Sequence, residues 1–68
     1  MKIGDLIKPI EDTILVSQGK NYTWTYIKKT QGLFIVIHTS SSVWVSIFNS
    51  SGVFFLSKYN FEKFKVIG

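Results

Sequence analysis

One histidine, four carboxylates and eight lysines are the side chains of this 68-residue sequence that could do acid–base or charge chemistry. His38 sits beside the Thr39–Ser42 turn, and nothing local identifies a nucleophile or an orienting carboxylate for it, so it reads as a solvated or turn-bonded residue. Asp5, Glu11, Asp12 and Glu62 are too few and too scattered for a carboxylate pair or an oxygen cage around a cation. Asp5 follows Gly4 and completes a turn, while Glu11-Asp12 is expected solvated in a connecting segment. Gly19-Lys20 is a fragment of a phosphate loop, but the upstream glycine is missing and Asn21 stands where a hydroxyl is needed. Without cysteine there is no disulfide and no thiolate metal site. The expectation is a protein that is not an enzyme, with no cofactor and no metal.

The richest segment is Gly19-Lys20-Asn21-Tyr22-Thr23-Trp24-Thr25-Tyr26-Ile27-Lys28-Lys29. Extended, it puts Tyr22, Trp24 and Tyr26 on one side and Thr23, Thr25 and Ile27 on the other. Three rings could stack on unpaired bases while Lys20, Lys28 and Lys29 hold phosphates, which is the chemistry of non-specific single-stranded nucleic-acid binding. The competing reading lays the rings over a sheet as a lid, with the lysines in water, and is preferred because aromatic stripes in small domains usually form core. A net charge of +4 and a pI near 9.6 fit an anionic partner or plain solubility. Lys63 and Lys65, expected on one face of the last strand, with Lys58 and Lys2 nearby, form a second basic group, or a routine guard on a sheet edge. With no arginine there is no guanidinium fork for guanine, which argues against sequence-specific duplex reading.

The elements that must position these residues are strands. Alanine is absent, while Ile, Val, Phe, Tyr, Trp and Thr are frequent. Turn signals recur at short spacing: Gly4-Asp5, Pro9, Gln18–Asn21, Gln31-Gly32, Ser40–Ser42 and Asn49–Gly52. The pattern predicts strands over Leu6–Lys8, Leu33–His38, Val43–Phe48, Val53–Ser57 and Lys63–Ile67. A long connection, Pro9 to Gln31, holds its own hairpin of Thr13–Ser17 against Tyr22–Ile27. Asn60 is placed as the cap of a short helical or 3₁₀ turn before the last strand.

This predicts a single all-β domain over residues 1–68, a small five-stranded barrel with a long early loop or hairpin. The opening Lys2-Ile3-Gly4-Asp5-Leu6-Ile7-Lys8, the middle Gly32-Leu33-Phe34-Ile35-Val36-Ile37 and the closing Phe64-Lys65-Val66-Ile67 resemble small SH3-like barrel proteins of tailed bacteriophages, including those of marine cyanobacteria. The resemblance covers about a third of the chain by matched positions, departs at Phe34 where that pattern has glycine, and leaves 9–31 unfixed. It implies a fold and a viral source, and brings no site residues with it.

If Asn49–Gly52 and Thr39–Ser42 are hairpin loops, one face carries Phe34, Val36, Val43, Val45, Ile47, Phe54 and Leu56. The other carries Leu33, Ile35, Ile37, Trp44, Phe48, Val53 and Phe55, with Ser46 and Ser57 among them. Both faces are apolar. Either the 9–31 segment covers the second face, which is the ordinary solution for a small barrel, or Trp44, Phe48 and Phe55 stay open to another protein. That protein would be a second copy, giving a homodimer, or a host or viral partner. The longest apolar run, Leu33–Ile37, is far short of a membrane span, and Gly4, Asp5 and Lys8 interrupt any leader-like stretch, so a soluble, cytoplasmic protein is expected.

Overall fold

A computed structural model describes residues 1–19, 22–30, 32–39 and 43–68. They form seven strands: β1 (Leu6–Pro9), β2 (Thr13–Ser17), β3 (Thr23–Ile27), β4 (Phe34–His38), β5 (Trp44–Asn49), β6 (Gly52–Ser57) and β7 (Phe64–Val66). A 3₁₀ helix, Lys58–Lys63, separates β6 from β7. Its cap is Ser57 and not Asn60: Ser57 is extended, and its hydroxyl oxygen accepts from the Tyr59 N–H at 3.2 Å. The helix therefore starts earlier than expected, and Asn60 lies within it.

All pairings are antiparallel, in the order β3-β2-β6-β5-β4-β1-β7. The five expected strands are present, and the early hairpin joins the same sheet through β2 against β6. β3 and β7 are its two edges, so hydrogen bonds do not close it into a barrel. The sheet nevertheless curls, because Ile27 at one end and Ile7 and Phe64 at the other belong to one core with Leu15, Phe34, Val36, Val45, Ile47, Phe54 and Leu56. Alternation places every one of these on a single face. Phe34 is the hinge of the cluster, edge-on to Phe54 and Phe64 with ring centroids 5.9 and 6.0 Å away.

The β5–β6 register is the expected one, with Phe48 opposite Val53, Ile47 opposite Phe54 and Val45 opposite Leu56. The β4–β5 register differs by two residues: Val36 faces Ile47, where Val45 was expected. A two-residue slip leaves each side chain on its face, so the division into core and outer residues survives. An irregularity between Val36 and His38 then sets His38 opposite Ser46 and not Val43. Two glycines fix turns. Gly4 takes a φ of +93° in the Lys2–Asp5 turn, where the Asp5 N–H donates to the Lys2 carbonyl at 3.0 Å. Gly52, φ +128°, closes the β5–β6 loop, in which Asn49 Oδ1 accepts from the Ser51 N–H at 2.8 Å.

Candidate protein-contact face

The hairpin β2–β3 does not lie across the second face of the sheet. It continues the sheet edge to edge. Thr13, Leu15 and Ile27 turn inward and are buried, while Ile14, Val16, Trp24 and Tyr26 turn outward. Val16 stands opposite both Trp24 and Phe55, so the rings of the hairpin and the rings of β5 and β6 share one outer face. The lid expected from the sequence is overturned, because the hairpin spends its inner side on the core and leaves its rings in water.

Three rows cross this face. Trp24, Val16, Phe55 and Ser46 form the middle one. Tyr26 with Ile14, and Trp44 with Ser57, lie on one side of it. Val53, Phe48, Ile35 and Leu6 lie on the other. Phe55 links the two groups of aromatics that the sequence treated separately: its ring is 5.9 Å from Tyr22 and 6.0 Å from Trp44. Trp24 and Trp44 line one small cleft of about 100 Å³ with Ile14, Val16 and Phe55. Trp24 is 77 % exposed, Tyr22 71 %, Phe48 45 % and Trp44 43 %, whereas Phe55 is partly covered by its neighbours. Among the described residues, the outward positions of β2, β3, β5 and β6 carry no charged side chain. The one deeply covered polar group there, the Ser46 hydroxyl, donates to Gln18 Oε1 at 3.3 Å.

Asp12 is the residue that sequence reasoning missed. Although exposed, it is not idle in solvent: Oδ2 accepts from the Tyr26 hydroxyl at 2.8 Å and Oδ1 from the Lys29 N–H at 2.9 Å. These bonds, the Lys29 one foremost, hold its carboxyl below the ordinary carboxylate range, with Lys29 and Lys28 charges adding to the effect. The Tyr26–Asp12 hydrogen bond raises the Tyr26 phenol above its usual value, because only the protonated phenol can donate it, and the carboxylate charge adds to the effect. One bracket thus ties the end of β3 to the start of β2 and fixes the outward ring of Tyr26.

The lysines are distributed differently from the rings. Lys20 lies outside the described residues. Lys28 and Lys29 follow β3, beside the Asp12 carboxylate. Lys63 ends the 3₁₀ helix and does not share a strand face with Lys65, whose direct partner is Lys8 on β1. Lys8, Lys29 and Lys65 line an open groove of about 920 Å³ with Pro9, Ile10 and Leu33, and no residue of the aromatic rows lines it. Lys58 lies 5.7 Å from the ring of Tyr59. His38 is exposed, and no group of three metal-ligating side chains occurs among the described residues. Nor is any helix there long and apolar enough to cross a membrane. No family model, curated protein or solved structure matches the chain.

Proposed function

We propose that this is a non-catalytic protein-contact module whose working surface is the outer aromatic face, covered in the isolated protein by a second copy. The observation that carries this reading is the composition of the face: Tyr22, Trp24, Trp44, Phe48 and Phe55 stand together with no charged side chain in the rows between them. Enrichment in aromatics and depletion of charge at the centre mark protein interfaces. A standard interface takes about 800 Å² from each partner, so one face of a molecule with 4433 Å² of surface is enough. A host or viral partner chain would use the same rings.

The second reading, non-specific single-strand binding, draws its support from Lys8, Lys29 and Lys65 around one groove. It is the weaker one, because base-stacking sites interleave rings with cations, and here the charge nearest Tyr26 is the Asp12 carboxylate. We further read β1 and β4–β7, with the 3₁₀ turn before the last strand, as the five strands of an SH3-like barrel. In that reading β2–β3 is the long early insertion. The bent sheet around a single core supports it; a phage-encoded protein acting in the cytoplasm of its host is what the sequence resemblance alone adds to the proposal.

Sedimentation separates the two functional readings. The protein should associate at micromolar concentration, and Trp44→Ser with Phe48→Ser should weaken association by about tenfold or more, since each removes over a kcal/mol of contact. A short oligonucleotide should leave Trp emission unchanged at low salt. Quenching that disappears as salt rises, and is lost in Lys28→Ala with Lys29→Ala, would move the reading to nucleic acid.

A further inference from the structure

The two edges of the sheet are built differently. β7 is three residues long, carries Lys65 at its centre and follows Lys63; shortness and lysine are the usual guards against pairing with another chain. β3, Thr23–Ile27, is five residues of threonine, isoleucine and aromatics, with no charge and no proline. In an antiparallel pair only alternate residues bond to the neighbour, so the remaining N–H and C=O groups of β3 point away from β2. Among the described residues this edge is an open template. It also borders the outer face directly, through Trp24 and Tyr26.

We propose that β3 pairs antiparallel with β3 of a second copy about a two-fold axis through Thr25. The inference goes beyond the protein-contact reading above: it assigns a separate contact, at the sheet edge, that leaves the outer face free for the face contact. A symmetric pair uses the same segment twice, and centring on Thr25 is the register that engages all five residues of both strands. It sets Thr25 opposite Thr25, Thr23 opposite Ile27, and Trp24 opposite Tyr26 on both sides of the axis. Aromatic residues directly opposite across strands are among the stronger cross-strand pairs. Just beyond the strand ends, Tyr22 meets Lys28 of the other copy, a cation beside a ring rather than beside another cation. The pairing keeps outward residues with outward residues, so the two aromatic faces merge into one of double width.

The chain has no cysteine, so a single introduced thiol reports on this geometry. Residues directly opposite in an antiparallel pair have Cα atoms about 4.5–5.5 Å apart, inside the range a disulfide spans. Under mild oxidation Thr25→Cys should form a covalent dimer about tenfold faster than Thr23→Cys, whose two thiols would lie about 13 Å apart along the strands. The unsubstituted protein gives a second readout that does not depend on folding of the variants. A mixture of labelled and unlabelled chains should show Thr25–Thr25 and Trp24–Tyr26 proton contacts between copies. An associating protein in which Thr25→Cys links no faster than Thr23→Cys, and in which those contacts are missing, overturns edge pairing while the face contact stands. A protein that stays monomeric to millimolar concentration overturns it as well.

Discussion

Asp12 shows how a solvent-exposed carboxylate can organise a hairpin. Its two partners, Tyr26 and Lys29, are 14 and 17 positions away in sequence, so nothing in the adjacent Glu11-Asp12 pair reveals the bracket. Only the β2–β3 register brings them together. The pH dependence follows from the direction of the shift. The carboxyl is held below its ordinary 3.8 in the folded protein, so its contribution is present above that value and is lost as pH falls through the folded one. Tyr26 has the opposite sign: its phenol lies above the usual 10.0, and its contribution is lost as pH rises through that higher value. Asp12→Ala should therefore melt lower than the parent near neutrality, and the two melting curves should converge as pH falls below the ordinary 3.8 and through the lower folded value. Parallel profiles over that window would show that the bracket contributes nothing.

At the scale of elements, alternation and turn chemistry made most of the sheet legible. Asn49-Ser50-Ser51-Gly52 specified the β5–β6 loop, and with it a register seen unchanged in the structure. The faces of β4, β5 and β6 could be read because an error of two residues, such as the one between Val36 and Val45, is silent in a pattern of period two. What could not be read was where the hairpin docks. Thr13–Ser17 and Thr23–Ile27 have one inward and one outward side whether they cross a sheet or extend it, and only the pairing of Val16 with Phe55 decides. That undecided docking is why the aromatics of β3 and those of β5 and β6 read as two candidate sites and not one. The helix cap was misread for a local reason, since Ser57 and Asn60 are both good caps and only the backbone distinguishes them. The elements meet at Phe34, which joins β4 to β6 and β7 through Phe54 and Phe64. Phe34→Ala should cost about 3–5 kcal/mol, against a total stability of about 3–10 kcal/mol for a domain of this size. Thermal unfolding should then fall by more than about 12 °C or lose its cooperativity. A drop of a few degrees would mean that the three-ring cluster is not the centre of the core.

On the scale of the whole molecule, the chain spends one side of its sheet on a core and leaves the outward positions of β2, β3, β5 and β6 uncharged and rich in rings. Small domains bury only about 60% of their unfolded surface, and here the hairpin enlarges both sides together: Leu15 and Ile27 inward, Trp24 and Tyr26 outward. The outer face is therefore a consequence of how the core is completed, and the cover proposed for it is a second protein surface. Both tryptophans of the chain stand on that face, so their emission reports on it without a label. The decisive experiment follows the emission maximum and acrylamide quenching from submicromolar to high micromolar protein, read beside sedimentation of the same samples. Emission should shift to the blue and quenching should fall as concentration rises, tracking the growth in mass, with the midpoint moved about tenfold higher in Trp44→Ser. Emission and quenching that stay constant across the range, in a protein that sediments as a monomer throughout, would leave the aromatic face uncovered and refute its role as a contact surface between copies.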